Sequence, residues 1–227
     1  MNQFRRSSDE VLGTLAVTGW LSEQPAEFRE AIARAGRWVK FQKGARLYTV
    51  GEDPAAMYGL GEGLLDVAIP ISDEEQVILH RAPPGFWIGD GALLSSMPRA
   101  VSVEAAMESR VFAVPIAAVR RILDARPAWW MYFHRLSSLN LILALSVLGE
   151  VLALPPRARF ARLLLRIASP DGTVRVTQEE LGRMAGMSRV AFRRAFGSLI
   201  EAGVVETQYG SLRIRDHAAL RHEAELA

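Results

Sequence analysis

The segment TQEELGRMAGMSRVAFRRAFGSLIEAG, residues 177–203, has a pattern that predicts a helix, a sharp turn and a second helix. Thr177 and Glu180 have the spacing of a capping box, in which each side chain satisfies a free backbone amide at a helix start. Gly186 can adopt the left-handed conformation that ends a helix. Ser188 is a favoured N-cap residue, so a second helix is expected to begin directly after it.

The predicted second helix has two different faces. At 3.6 residues per turn, its inner face is apolar and consists of Phe192, Ala195, Phe196 and Leu199. Its outer face carries three arginines and no acid, and consists of Arg189, Val190, Arg193, Arg194 and Gly197. Gly182 in the first helix is small, so a second helix can cross close by. A helix with such an outer face suits the major groove of DNA, where arginine pairs with guanine or holds a phosphate.

The following segment, VVETQYGSLRIR (residues 204–215), alternates around Tyr209-Gly210 and predicts a two-stranded hairpin. A hairpin beside the second helix makes a winged helix, with Arg213 and Arg215 expected near DNA phosphates. The alternative is an ordinary helical pair with a solvated basic face.

Composition limits the class of protein. The chain has 227 residues, which suits one or two domains, and its net charge is only +2. From residue 157 onward, however, twelve arginines stand against eight acidic residues, which suggests a polyanionic partner for that part. A general preference for arginine contributes, since the chain has 25 arginines and two lysines. The absence of cysteine excludes disulfides, thiolate metal sites and a cysteine nucleophile. The first residues contain no long apolar run, so we expect no signal peptide and a cytoplasmic protein.

Upstream of residue 177 the pattern changes twice. Residues 1 to about 36 favour helices. Between Val39 and Val114 lie seven short alternating runs, separated by turns that contain Gly or Pro. This pattern predicts a sandwich or jelly roll of seven or eight strands. Pro115 is expected to begin a helix.

A long run from Ala128 to Leu154 contains only two charges and is apolar on nearly all sides. Such a helix must be covered on most of its surface, which predicts that a second copy of the chain packs against it. The alternative is a membrane span, but the uncharged core, residues 136–149, has fourteen residues where a span needs about 20. Pro155-Pro156 is expected to break this helix, and an amphipathic helix with Phe160 inward follows.

This order of elements resembles the cyclic-AMP receptor protein/fumarate-nitrate regulator (Crp/Fnr) superfamily of bacterial transcription regulators, over about residues 38–218. The motifs that carry the resemblance are Gly44-x-x-Leu47-x-x-x-Gly51, Gly63, Gly85-x-x-x-Gly89, Arg99 beyond Asp90, Thr177-Gln178-Glu179-Glu180-Leu181 and Gly186-Met187-Ser188-Arg189. The resemblance implies an α+β fold: a cyclic-nucleotide-binding-type β jelly roll, a long dimerisation helix and a C-terminal winged helix-turn-helix. The expected domains are residues 1–126 for effector sensing with a helical cap, 127–154 for dimerisation and 155–227 for DNA binding.

Family members bind a cyclic nucleotide through a short cassette, which here is FWIGDGALL followed by PRAV. The family's arginine is present as Arg99, but its glutamate has become Asp90 and its hydroxyl residue has become Ala100. In the long helix, Ala144 and Leu145 stand where cyclic-AMP binders offer Thr and Ser. The candidate pocket residues are Gly89, Asp90, Gly91, Ala92, Arg99, Ala100, Ala144 and Leu145. We therefore expect that the chain does not bind cyclic AMP in the usual way, and that the pocket holds another small molecule or none. The alternative role for Arg99 is a buried ion pair with Asp90.

On the DNA side, the resemblance and the residue pattern select Thr177, Gln178, Ser188, Arg189, Val190, Arg193, Arg194 and Arg213 as DNA-binding residues. Val190 replaces the acidic residue that would accept from cytosine, so the half-site should differ from the cyclic-AMP receptor site at that base pair. The expected partners are double-stranded DNA with an inverted-repeat operator and a second copy of the chain, with RNA polymerase as a candidate and no membrane. No cofactor, catalytic residue or metal ligand is assigned.

A haem-based sensor and a small enzyme on a cupin-like barrel are the alternative functions. A haem sensor would need an axial ligand, for which His80 is conceivable. An enzyme on a cupin-like barrel would need clustered metal ligands, but the four histidines are scattered, at His80, His134, His217 and His222.

Overall fold

The short alternating runs form eight β-strands in the part of the chain that the computed structural model describes, residues 10–71, 76–169, 171–208 and 210–225. The strands are β1 (Arg37–Phe41), β2 (Arg46–Tyr48), β3 (Ala56–Glu62), β4 (Leu65–Pro70), β5 (Gln76–Ala82), β6 (Trp87–Ile88), β7 (Ser102–Ala105) and β8 (Ser109–Pro115). They form two four-stranded sheets, in the orders β1-β8-β3-β6 and β2-β7-β4-β5. The predicted jelly roll is confirmed. The strand β6 was not foreseen, since it has only two residues.

The chain divides into two units, one of Met1–Gln76 with His80–Leu143 and one of Val77–Leu79 with Ala144–Ala227. We call them the first unit and the second unit.

Inside the first unit, the roll encloses an apolar core and a buried ion pair. The core residues are Tyr48, Leu60, Leu65, Val67, Ala82, Ile88, Val103, Ala105 and Val111. The guanidinium of Arg81 donates from Nε and Nη2 to the two carboxylate oxygens of Asp66, each at 2.7 Å. A buried arginine requires such a bidentate partner, because an unpaired charge there would be costly.

The N-terminal cap is helical where it is described, at residues 10–15, in a 3₁₀ turn at Trp20–Glu23 and in α1 (Ala26–Ala35). Residues 1–9 of this prediction lie outside the described residues. Trp20 is the centre of an aromatic cluster, with its ring 5.7 Å from Phe28, 5.4 Å from Trp87 and 5.4 Å from Phe133. Its indole Nε1 donates to the Tyr132 carbonyl at 2.9 Å. The cap therefore packs on the first turns of the long helix.

Helices follow the roll as the proline positions predict. A short helix, α2 (Asp90–Ser95), lies in the cassette, and α3 (Ile116–Ala125) begins after Pro115. A 3₁₀ turn at Pro127–Trp129 leads into the long helix α4 (Trp130–Ala153), which ends just before Pro155. The expected helix of residues 128–154 is therefore present, with its first two residues in the 3₁₀ turn.

Most of α4 is uncovered in the single chain. Its buried residues are only Phe133 and Leu136. Its exposed large apolar residues are Trp130, Met131, Leu139, Leu141, Ile142, Leu145, Leu148, Val151 and Leu152. By length and composition alone, Pro127–Ala153 would suffice to cross a membrane, with a mean hydropathy of 1.8. In the first unit, the first half of this helix packs on protein through Phe133 and Leu136.

The second unit is a helical core with a three-stranded sheet. Its helices are α5 (Pro156–Ile167), α6 (Gln178–Ala185), α7 (Arg189–Glu201) and α8 (His217–Glu225). Its strands are β9 (Thr173–Val174), β10 (Val205–Gln208) and β11 (Ser211–Ile214), in the order β10-β11-β9. The predicted helix pair and hairpin are confirmed.

Two elements of the second unit were not predicted. Strand β9 is too short to show alternation, and it pairs with β11 only through Thr173 and Val174. Helix α8 packs on α5, where Arg157 forms an ion pair with Glu223 and Arg162 Nε donates to the Ala224 carbonyl at 2.9 Å.

Candidate nucleic-acid interface and ligand pocket

Hydrogen bonds at the start of α6 form the predicted capping box. Thr177 Oγ1 accepts from the Glu180 amide at 3.2 Å, and the Glu180 carboxylate accepts from the Thr177 amide at 2.9 Å. Gly186 ends α6 with φ 55° and ψ 40°, the left-handed conformation that glycine favours. Ser188 Oγ accepts from the Ala191 amide at 3.2 Å, so α7 begins where expected.

Packing of three aromatic rings sets the rotation of α7. Phe192 and Phe196 stack with their centroids 5.6 Å apart. The Phe160 ring of α5 meets them at 5.4 Å and 6.0 Å. All four residues of the predicted inner face are buried. A Cβ at Gly182 would lie 4.0 Å from Phe192, an ordinary contact, so α7 lies close to Gly182, although the helices do not require a glycine there.

The outer face of α7 is exposed as predicted. Arg189, Arg193 and Arg194 are exposed, and the Val190 side chain is 70% exposed. No acidic residue follows in the helix until Glu201. This surface can donate to guanine or phosphate, and Val190 can contact a thymine methyl. The expected difference in the half-site at Val190 stays a prediction.

The hairpin β10-β11 and the start of α6 border one groove of about 260 Å³. Polar lining residues of this groove include Thr177, Gln178, Thr207, Gln208 and Ser211. Thr177 and Gln178 are exposed there, at the helix N-terminus, where backbone amides favour an anion.

The two wing arginines differ in their surroundings. Arg213 is exposed on β11, opposite Glu206 in the strand register. Arg215 Nε lies 3.6 Å from Glu206 Oε2. The charge of Arg215 is thus partly compensated, which favours Arg213 as the wing contact.

In the first unit, the cassette presents Asp90 to the long helix. Gly89 caps α2 with φ 101°, and Asp90 follows it with only 5% of its surface exposed. The Asp90 carboxylate accepts from Ser137 Oγ and, at 2.9 Å, from Asn140 Nδ2. Asn140 Nδ2 also donates to the Trp87 carbonyl at 3.2 Å. The sequence reading missed both partners, although their spacing of three residues on one side of an apolar helix was a usable signal.

Burial raises the pKa of the Asp90 carboxyl above its usual value. Hydrogen bonds from Ser137, from the backbone and from Asn140, together with the positive charge of Arg99, oppose that rise. Desolvation is the largest of these effects.

Arg99 is buried, but its partners are not the expected carboxylate. Its Nη2 donates to the Ala56 carbonyl, and its Nη1 lies 3.5 Å from the Gly89 carbonyl. Its guanidinium carbon stands 4.1 Å from the centre of the Tyr48 ring, a cation–π arrangement. Nε is buried with no hydrogen-bond partner. The ion pairs of the described residues include none between Arg99 and Asp90, so that alternative was wrong.

The remaining pocket candidates differ in their exposure. Ala92 is buried in α2, whereas Gly91 and Ala100 are exposed. Ala144 and Leu145 are exposed and belong to the second unit. Tyr58, which was not predicted, stacks on Tyr48 at 5.8 Å.

Metal chemistry has no visible basis in the described residues, since no group of three or more His, Cys, Asp or Glu residues is placed to hold an ion. His80 packs against Phe86, with ring centroids 5.2 Å apart.

Comparisons with known proteins match both units. Residues 38–126 match a family model described as a cyclic nucleotide-binding domain, and residues 158–223 match a Crp-like helix-turn-helix domain. The chain is 27% identical to the transcriptional regulator LdrP of Thermus thermophilus over 202 residues, 82% of this chain and 95% of the relative. It is 24% identical to a CRP-like cAMP-activated global transcriptional regulator of Mycobacterium tuberculosis over 195 residues, 82% and 87% of the two chains. The structure of FixK2 from Bradyrhizobium japonicum superposes with a TM-score of 0.74 at 17% identity, covering 85% of this chain and 98% of that one. The two named sequence relatives, LdrP and the CRP-like protein, are regulators of transcription.

The raised pKa of Asp90 gives a pH-dependent stability. The folded chain binds a proton at Asp90 more tightly than the unfolded chain does, so this contribution is fully present below the unfolded pKa, about 3.9. It is lost as the pH rises through the higher folded pKa. We therefore expect the unfolding free energy of the wild type, relative to Asp90→Asn, to fall as the pH rises from about 4 to 7.

Urea denaturation followed by tryptophan fluorescence measures this, because all five tryptophans lie in the first unit: Trp20, Trp38, Trp87, Trp129 and Trp130. A difference between the two proteins that does not change with pH would contradict it.

Proposed function

Because this chain belongs to the Crp/Fnr superfamily of transcription regulators, we propose that it is a homodimeric, cytoplasmic protein that binds an inverted-repeat DNA operator. The observation that carries this proposal is the exposed, acid-free arginine face of α7 on a capped helix beside a wing. Arg189 and Arg194 are assigned to base edges, and Arg193 and Arg213 to phosphates. Thr177 and Gln178 add phosphate contacts at the start of α6.

The uncovered apolar side of α4 supports a dimer. Leu145 and Leu148 are 55% and 51% exposed in the single chain, and Leu152 is 77% exposed. A row of large apolar side chains of this length marks a protein contact when it lies on a soluble protein. A second copy of the same helix would cover it symmetrically, and two recognition helices would then meet DNA about one turn apart, roughly 34 Å.

The pocket supports an effector other than cyclic AMP, or no effector. Asp90, which replaces the family's ribose-binding glutamate, already accepts two side-chain hydrogen bonds. Ala100 has no hydroxyl for a phosphate.

Substitution of the recognition arginines tests the DNA-binding role. Arg189→Ala and Arg194→Ala should each weaken binding to the operator by roughly 1–3 kcal/mol, because each removes a contact to a base edge. A gel shift against the promoter of its own operon, refined by selection from random duplexes, measures the affinity. Arg121→Ala is the matched control, since Arg121 is exposed on α3 in the other unit. Unchanged affinity in both recognition variants would refute the assignment.

Charge on the apolar side of α4 tests the dimer. We expect Leu148→Glu to convert the protein from twice its 25.0 kDa chain mass to a single subunit, because two buried carboxylates would face each other across the symmetry axis. Light scattering after size exclusion gives the mass. Val17→Glu is the control, because Val17 is 71% exposed in the cap. A wild type that runs as one subunit would contradict the proposal.

The effector proposal is tested by calorimetry of the purified protein with cyclic AMP and cyclic GMP. We expect no binding in the low-micromolar range, because the groups that would hold ribose and phosphate are altered or already bonded. Low-micromolar binding of either nucleotide would overturn this part alone and leave the DNA assignments untouched.

A further inference from the structure

One buried carboxylate joins the cassette to the long helix in the first unit. Asp90 stands at the start of α2, while Ser137 and Asn140 stand on α4, 47 and 50 residues further along the chain. Asn140 makes two bonds with the same nitrogen, one to the Asp90 carboxylate and one to the Trp87 carbonyl. Three hydrogen bonds thus connect four residues of the cassette and helix.

Asp90 needs the hydrogen bonds that it accepts from Ser137 and Asn140. Asp90 is 5% exposed, so water cannot replace a missing donor, and a buried carboxylate without donors is costly. Arg99 contributes its positive charge but donates to the carbonyls of Gly89 and Ala56 instead. The side-chain donors that satisfy Asp90 therefore come from α4.

A second contact runs beside the first. Trp87, three residues before Asp90, places its ring 5.4 Å from Trp20, which in turn lies 5.4 Å from Phe133 of α4. The contact between the aromatic rings involves no directional polar groups. The hydrogen bonds to Asp90 are directional, so they fix which residues of α4 face the cassette.

We propose that Asp90, Ser137 and Asn140 form a built-in latch, in which the protein's own side chains hold the cassette against the long helix with no small molecule bound. Asp90 and its two donors are positioning residues: they fix α2 on α4. The latch deepens the proposed function, because it makes the cassette–helix contact of this regulator independent of a ligand.

Hydrogen–deuterium exchange of the full-length protein tests the latch directly. In the ligand-free wild type, we expect slow exchange of the amides in residues 88–94 and 133–143. In Ser137→Ala/Asn140→Ala, we expect exchange in both segments to be about tenfold faster or more, as the loss of hydrogen bonds to a charged group implies. Ser138→Ala is the matched control, because its hydroxyl donates to the His134 carbonyl on the same helix. It should exchange like the wild type, and millimolar cyclic AMP should leave the wild-type pattern unchanged.

Two results would overturn the latch: wild-type exchange in the double variant, or a wild-type cassette that becomes protected only when cyclic AMP is added. If the double variant fails to fold, Asn140→Ala alone supplies the comparison, with the same directions expected in both segments. Gel shifts on the same proteins separate the two proposals. Faster exchange with no DNA binding by any of the proteins would sustain the latch and refute the regulator, and normal DNA binding with unchanged exchange would do the reverse.

Discussion

The exposure of the arginine face of α7 depends on the aromatic rings that are packed on the opposite face of the same helix. Phe192 and Phe196 stack on each other, and Phe160 meets both rings edge-on. Burying each such ring contributes roughly 1.5–3 kcal/mol. Because a helix is rigid, fixing these rings inward also fixes Arg189, Arg193 and Arg194 outward. Rotation of α7 by half a turn would expose the rings and bury the guanidinium groups. The packing of the rings therefore determines where the arginines lie.

Interactions between residues close in sequence were sufficient to predict most of the second unit, which contains α7. The capping residues Thr177 and Ser188 and the turn glycine Gly186 act through bonds to near neighbours, so their spacing in the sequence was sufficient. The elements that the sequence did not predict depend on partners far along the chain. Strand β9 exists only because β11 is available to pair with it, and α8 is held by ion-pair and carbonyl contacts to α5. Spacing also did not show that the approach of α7 to Gly182 leaves room for a larger residue there.

The first unit shows the same limit at its candidate pocket. The sequence showed that Asp90 and Ala100 depart from the family pattern, but not what the shortened carboxylate does instead. Its partners, Ser137 and Asn140, lie in a helix whose composition drew attention to its apolar residues. The unit therefore retains the family's fold while the polar groups of its cassette are engaged by protein, which separates likeness of architecture from likeness of ligand.

The uncovered side of α4 has a genetic consequence under the proposed pairing. A subunit whose recognition helix is damaged, but whose apolar side is intact, would still pair with normal subunits. If damaged and normal subunits are present in equal amounts and pair at random, only about a quarter of the dimers would carry two intact recognition helices. Mutations in α7 would then behave as dominant-negative alleles, whereas mutations that abolish pairing would be recessive.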